Sequence, residues 1–196
     1  MTRVQANSLS IKRATEGGYT HAIVQKVADI PGGVSVDVSD LGGDVLFEST
    51  PLTKPDSETG LAKVVKTAKV VTKVTASAKK IEVAKGHHFN IGDVIGTADN
   101  GGQTITAIDK TATDKDTLTV GTALGEIEAG TTLIQVAEAG SKELLRKPFC
   151  LAGSDYPIAT GVNRWVDAEV ISVVNSAIAQ PVNDSIKAEL KGIIYY

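Results

Sequence analysis

The sequence predicts a mainly β protein: a base of short strands, an inserted small β-barrel or sandwich module, and one short C-terminal helix. Three observations support this prediction. β-Branched residues alternate with polar ones in several segments, turn-forming residues separate these segments, and start and stop signals for a helix are clearest near the C-terminus. Period-two alternation is typical of strands with one buried face, whereas a helix needs capping residues at its ends.

The first part of the chain predicts short strands joined by extended loops. Residues 28–66 are rich in Gly, Pro, Asp and Ser, which interrupt regular structure. Within them, VSVDVS at 34–39 places three valines on one side of a strand. KVVKTAKVVTKV at 63–74 is a long β-prone stretch, and we expect its lysines to face water or to protect a sheet edge.

The middle of the chain predicts a compact β-module with several short strands. The cluster Asp99-Asn100-Gly101-Gly102 predicts a hairpin turn, because these residues tolerate positive φ. Strand-like segments recur at intervals of roughly 8 to 12 residues, as in small sandwiches and barrels. They are KIEVA at 80–84, DVIGTA at 93–98, QTITAI at 103–108, DTLTV at 116–120 and TTLIQV at 131–136.

Two later segments have less regular patterns. Ser141 is placed to cap a single helical turn that Pro148 would stop. In residues 164–177 the apolar residues fit a strand, but three valines also fit a helix. We favour the strand.

The end of the chain predicts the one clear helix. Asn183 or Asp184 is suited to cap SIKAELKG, and Gly192 ends it. The tail IIYY then predicts a closing strand. These elements suggest an N-terminal arm at 1–27, a base formed by 28–71 and 138–196, and an inserted module at 72–137.

Composition excludes several classes of function. Lys and Arg total 20 against 23 Asp and Glu, giving a formal net charge of -3, which argues against a broad nucleic-acid-binding face. Aromatic residues make up only 4%, so stacking platforms for bases are scarce. We expect no secretory signal and no membrane span, because no apolar run approaches the roughly 18 to 20 residues that a span needs.

The histidines and the cysteine do not form a recognisable reactive site. His87 and His88 are adjacent, and neighbouring residues in a strand point to opposite faces, so we expect one exposed and one packed imidazole rather than a metal-binding pair. His21 has no partner in the sequence. Cys150 has no histidine downstream to act as its base, which favours a small buried apolar role.

The acidic and glycine-rich stretches also lack the spacing of known sites. Asp29, Asp37, Asp40 and Asp44 do not follow a calcium-loop pattern. Neither glycine pair, at 32–33 and 42–43, leads into a phosphate-binding loop, and no nucleophile elbow surrounds Ser154. We therefore predict no catalytic residue, no metal site and no cofactor, and expect a structural or interaction protein rather than an enzyme.

Several stretches resemble head decoration, capsid-associated and head-fibre proteins of tailed bacteriophages, including those of crAss-like phages. Residues 43–70 contain the turns Thr50-Pro51-Leu52 and Thr59-Gly60-Leu61 of that pattern. AKKIEVAKGHHFNIGDVIG at 78–96 and TLTVGTALGEIEAGTTLIQ at 117–135 are similar to its β-module, and residues 147–196 resemble its closing segment.

The resemblance implies a non-enzymatic virion protein on the outer surface of an icosahedral shell. Its partners would be the major capsid protein and further copies of itself as a dimer or trimer, and they could include other head-fibre proteins. The resemblance implies binding to neither nucleic acid nor a membrane. It would be made in the cytoplasm of a host bacterium and end on the capsid surface. A decoration knob and a head-fibre base both fit.

The basic N-terminal segment is the candidate partner contact. Arg3, Lys12 and Arg13 lie in a polar stretch with few core residues, suited to an arm that orders on an acidic capsid patch. A disordered tail is the alternative.

A carbohydrate- or host-binding β-module is the competing function. Its support is Trp165 with Tyr156, Tyr195 and Tyr196, because sugar sites commonly use aromatic faces. Packing and interface roles suit the same residues.

Overall fold

The computed structural model describes residues 21–159 and 161–196, where it has sixteen strands and one helix. The mainly β prediction with a single short helix is therefore confirmed. In chain order the elements are β1 Ile23–Asp29, β2 Val34–Asp37, β3 Val45–Leu46, β4 Pro51–Thr53, β5 Leu61–Lys63, β6 Thr67–Lys69, β7 Lys80–Ala84, β8 Val94–Gly96, β9 Gln103–Asp109, β10 Lys115–Val120, β11 Thr132–Gln135, β12 Pro148–Ala152, β13 Tyr156–Pro157, β14 Arg164–Val166, β15 Ala168–Val174, α1 Asp184–Glu189 and β16 Ile193–Tyr195.

Three sheets form the base, which we define as β1 to β5, β12 to β16 and α1. The largest of these three sheets has five strands in the order β1-β15-β12-β4, with β16 parallel to β15. The others are β14-β2-β5 and β13-β3. Strand β1 begins at Ile23. Residues 23–27, which the sequence suggests as the end of an arm, therefore lie in the five-stranded sheet of the base.

The module, defined as β6 to β11, is one sheet with the order β6-β11-β8-β9-β10-β7. The predicted hairpin at 99–102 is confirmed, because β8 and β9 pair antiparallel on either side of it. The sheet does not form a closed barrel; an isolated bridge between Val70 and Val83 connects its two outer strands. The module's sheet begins at Thr67, whereas the sequence suggests a start at 72.

The predicted C-terminal elements agree with the structure. Residues 164–177 contain β14 and β15, as the strand interpretation predicts. The side chain of Asn183 accepts a hydrogen bond from the backbone N–H of Ile186 at 3.0 Å, which caps α1. The chain then enters β16.

The expected helical turn at Ser141 is wrong. Residues 141–147 contain only bends and a bridge. The carbonyl of Ser141 instead accepts a hydrogen bond from the N–H of Gly102 at 2.7 Å, and the carbonyl of Gln135 accepts one from Leu145 at 3.1 Å. These long-range bonds engage backbone groups that a helix would have used internally.

Buried apolar residues form three clusters, one of which joins the base to the module. The module has its own core around Phe89, and the base has one around Leu46 and Val36. The third cluster, which we call the junction core, contains Ile134 and Val136 of the module. Its other buried members come from the base: Ile23, Val65, Leu151, Val174, Ile186, Leu190 and Ile193.

The junction core gives the two parts a shared apolar interface. Burying one large aliphatic side chain contributes about 1.5 to 3 kcal/mol. The two module residues and their base neighbours are each at least nine-tenths buried. Separation of the module from the base would expose apolar surface of this cluster to water, which opposes movement of the two parts away from each other.

Candidate functional site

The predicted partner contacts Arg3, Lys12 and Arg13 lie outside the described residues. The described chain begins at His21, immediately before β1. The N–H of Ala22 donates a hydrogen bond to a carboxylate oxygen of Glu48 at 2.6 Å, which fixes the point where the N-terminal segment joins the base. The described chain then continues into β1 of the five-stranded sheet of the base.

That sheet carries a group of exposed large apolar and aromatic side chains, which we call the apolar surface. It lies on the adjacent strands β1 and β15 and on the C-terminal segment containing β16. Its large members and their exposed fractions are Val27 at 58%, Ile171 at 44%, Ile194 at 62% and Tyr196 at 64%.

Strand register explains why Ile171 and Ile194 face outward on the same side of the sheet. Val173 pairs with Ile194, and Ile171 lies two residues from Val173 on the same side of β15. The opposite side of these strands, with Val174 and Ile193, is buried in the junction core. Apolar residues at both alternating positions of AEVISVV and IIYY are the sequence signal for a sheet with two apolar faces.

A charged cluster next to the apolar surface was missed by the sequence analysis. The ammonium group of Lys26 lies 2.8 Å from Asp167 and 3.3 Å from the buried Glu169. Burial raises the pKa of Glu169, partly opposed by Lys26. Burial also acts to raise the pKa of Asp167, but hydrogen bonds from Lys26 and Tyr156 lower it below its usual value. The residues are too distant in sequence for spacing to reveal this contact.

A second charged cluster lies between the base and the module, centred on Lys66. We expected the lysines of residues 63–74 to face water, and this is wrong for Lys66, which is fully buried. Its ammonium group donates to Asp93 at 2.8 Å and to the backbone carbonyl of Asp40. The lysine faces inward because two acidic residues from other parts of the chain compensate its charge.

The same cluster extends through Arg146. Its guanidinium donates to the Asp40 carboxylate at 2.6 Å and to the carbonyl of Val64 at 2.9 Å. On the module side, the Gln135 amide donates to Asp93 at 2.9 Å. Polar bonds therefore supplement the junction core in fixing the module to the base.

His87 and His88 are both buried, so the expectation of one exposed imidazole is wrong. Nδ1 of His87 accepts the N–H of Phe89 at 3.2 Å, and its Nε2 lies 3.2 Å from Asp116 without hydrogen-bond alignment. Among residues 21–159 and 161–196, neither ring nitrogen of His88 has a hydrogen-bond partner. Burial lowers the pKa of each histidine to about 4, so both are neutral at pH 7.

Cys150 is fully buried in β12, as a small apolar residue would be. Burial raises the pKa of its thiol to about 12. A thiolate is the reactive form of cysteine, and at neutral pH almost none is present. The side chain packs in the base core.

The four aspartates considered for calcium have separate roles. Asp40 binds Arg146, whereas Asp37 accepts hydrogen bonds from the backbone and hydroxyl of Ser39. Within residues 21–159 and 161–196, no group of three or more His, Cys, Asp or Glu side chains is arranged to hold a metal ion.

The aromatic residues proposed for sugar binding lie on different sheets. Trp165 on β14 is half exposed, and its indole N–H donates to the carbonyl of Gly32 at 2.6 Å. The Tyr156 hydroxyl bonds Asp167. Tyr195 and Tyr196 are in or beside β16, and only Tyr196 is well exposed.

No helix in the described ranges is long and apolar enough to cross a membrane. Comparisons with protein-family models, curated proteins and solved structures find no match to this chain.

Proposed function

We propose that this chain is a non-enzymatic structural protein that attaches to the outer surface of a tailed-bacteriophage head, as a decoration or head-fibre component. The resemblance of residues 43–70, 78–96, 117–135 and 147–196 to such proteins suggests the class. The observation that carries the proposal is the apolar surface on the base, which offers a place of attachment.

Contiguous exposed apolar area commonly marks a protein interface. Here four large side chains project from neighbouring strands and the adjoining C-terminus. The N-terminal segment with Arg3, Lys12 and Arg13 joins the same sheet. An exposed apolar surface on a sheet that follows a basic segment in the sequence suits a partner surface that is apolar and bordered by acidic residues. We assign that partner as the major capsid protein.

The rigid connection between base and module supports a structural role. The junction core and the Lys66 cluster hold the module in one orientation. A protein present in many copies on a lattice gains avidity when all copies attach in the same way. Symmetric self-association as a dimer or trimer would add contacts between neighbouring sites.

Co-sedimentation with phage heads stripped of the protein tests the attachment. The variant carries Ile171→Lys and Ile194→Lys together, which places two charges on the apolar surface. Its control is Ile91→Lys, which changes an isoleucine of the module that is 65% exposed. Circular dichroism verifies folding of all three proteins.

We expect wild type and the Ile91 variant to saturate the heads at a fixed ratio per capsomer. The double variant should need at least about ten-fold more protein, since central interface residues commonly contribute more than 1 kcal/mol each. Deletion of residues 1–17 should also weaken attachment while leaving the fold intact. Equal occupancy by the double variant would exclude the apolar surface, and failure of the wild type to bind would overturn the proposal.

A carbohydrate- or host-binding module is the second candidate, favoured by the half-exposed and hydrogen-bonded indole of Trp165. A glycan array with the full chain tests it. Binding that Trp165→Ala abolishes, together with no sedimentation on heads, would replace the first proposal with this one.

A further inference from the structure

A cleft between the module and the base carries a concentration of positive charge that the proposed attachment does not use. It has a volume of about 370 Å³, within the range of pockets that hold small ligands or a few peptide residues. The module contributes Lys69, Lys85 and Thr132 to its lining, and the base contributes the loop 176–182 with Lys187 and Tyr195. The junction core holds these two walls together.

The three lysines come from different elements and meet only in the folded protein. Lys69 lies at the end of β6, Lys85 follows β7, and Lys187 is in α1. Within the described part of the chain, Lys69 and Lys187 make no ion pair, while Lys85 binds Asp116. None of the described residues that line the cleft is Asp or Glu. The cleft is therefore locally positive in a chain whose formal net charge is -3.

The base wall of the cleft combines apolar and polar groups. Ile178, Pro181 and Val182 provide apolar surface. The ammonium group of Lys187 lies 5.6 Å from the centre of the Tyr195 ring, a cation–π contact that favours this position of the charge. The Tyr195 hydroxyl has no hydrogen-bond partner in the described part of the chain, and burial raises its pKa, so it stays a neutral group.

Several backbone donors in the cleft are already engaged. The N–H groups of Ala177 and Ala179 bond to Asn175, and the N–H of Gln180 bonds to the Ser49 hydroxyl at 2.9 Å. A phosphate site commonly uses several free backbone N–H groups or the paired donors of arginine. This cleft instead offers flexible ammonium groups beside apolar walls.

We propose that the cleft binds an acidic peptide segment of a partner protein, with glutamate or aspartate carboxylates paired to Lys69 and Lys187 and the intervening chain against Ile178 and Pro181. This site is separate from the apolar surface. It does not require the capsid to be the partner, because charge complementarity alone selects the ligand.

Fluorescence anisotropy of a labelled, N-acetylated hexaglutamate peptide tests the proposal with the full chain. The variant is Lys69→Gln with Lys187→Gln. The matched control is Lys54→Gln with Lys142→Gln, which removes two exposed lysines away from the cleft. A hexaglutamine peptide and inorganic phosphate serve as the other probes, and titrations are made at low and at physiological salt.

We expect hexaglutamate to bind the wild type and the control variant equally, and hexaglutamine not to bind. The cleft variant should bind about 2- to 30-fold more weakly, since two exposed ion pairs together contribute about 0.4 to 2 kcal/mol. Amide shifts in two-dimensional NMR should concentrate in residues 176–187. An equal loss of hexaglutamate affinity in both double variants would mean that the peptide binds by non-specific charge attraction, and it would overturn the assignment of the cleft as the binding site. Displacement of the peptide by stoichiometric phosphate would overturn the peptide assignment.

Discussion

The ammonium group of Lys66 lies 2.8 Å from a carboxylate oxygen of Asp93, and the lysine side chain has no exposed surface. The two residues are 27 positions apart, on either side of β7. A charge buried in this way costs several kcal/mol in lost hydration, which only a close partner offsets. Lys66 and Asp93 are therefore each dependent on the other.

Replacing Lys66 by Met should destabilise the protein strongly. The change leaves the Asp93 carboxylate without its cation, and removing one partner of a buried pair costs about 3 to 5 kcal/mol. Urea unfolding measures the loss. Lys63→Met, at an exposed position of the same stretch, should change stability by no more than about 0.5 kcal/mol.

The double variant Lys66→Met with Asp93→Asn separates the ion pair from other effects. If the two charges are coupled, Asp93→Asn should lower the free energy of unfolding less in the Lys66→Met protein than in the wild type. Additive free energies would show that the two charges do not depend on each other.

The buried histidines should make stability fall in acid. Their pKa values near 4 lie below the value of about 6.5 expected in the unfolded chain. Unfolding therefore takes up protons, and the stabilisation present above pH 6.5 is lost as the pH falls towards 4. At pH 5 each histidine should account for about 2 kcal/mol of lost stability relative to pH 7.

Urea unfolding at pH 7 and pH 5 checks this expectation. His88→Leu removes one titrating group and should reduce the difference in unfolding free energy between pH 7 and pH 5. Ile91→Leu changes an exposed residue that carries no titrating group and should leave this free-energy difference as it is in the wild type. An unchanged pH dependence in the His88 variant would contradict burial as the cause.

Gly42 should not tolerate alanine. A methyl group at this position would overlap the backbone carbonyl of Phe89, where the loop of the base contacts the module. The Gly42 N–H also donates to the His88 carbonyl at 3.0 Å, so movement away would lose this bond. We expect Gly42→Ala to lower the free energy of unfolding by about 1 to 3 kcal/mol, which is typical of overpacking. Thermal or urea unfolding measures this change.

The neighbouring Gly43 provides the control. A methyl group there would lie 3.5 Å from its nearest neighbours, an ordinary contact. Gly43→Ala should therefore change stability by less than about 1 kcal/mol. Similar losses in both variants would mean that the loop is sensitive for another reason.

Cys150 should be unreactive in the folded protein. Its thiol is fully buried, and burial raises its pKa to about 12. A thiol-specific reagent at pH 8 should modify it only after unfolding in urea. Rapid modification of the native protein would show that β12 opens to solvent.

Local patterns predicted most of the strands because they depend on residues close in sequence. The five segments proposed between residues 80 and 136 correspond to β7 to β11. The valines at 34, 36 and 38 are buried as their alternation predicts. Turn residues and the Asn183 cap also act locally, so their positions follow from sequence.

The candidate sites were less accessible to sequence reasoning. The basic residues 3, 12 and 13 lie outside the described residues and stay a prediction. The apolar surface and the lysine cleft unite elements that are far apart in the chain. The sequence shows that Ile171 and Ile194 are both apolar residues of strand-like segments. Only strand pairing places these two strands side by side.

The sequence by itself determined the mainly β class, the short strands, their main turns and helix α1. Tertiary structure decided which lysine of residues 63–74 is buried, because Lys66 is the one among these described lysines that Asp40 and Asp93 approach. It also buried both histidines and paired β1 with β15 across more than 140 residues. Local preference selects a strand, but burial and pairing depend on partners that only the folded chain brings together.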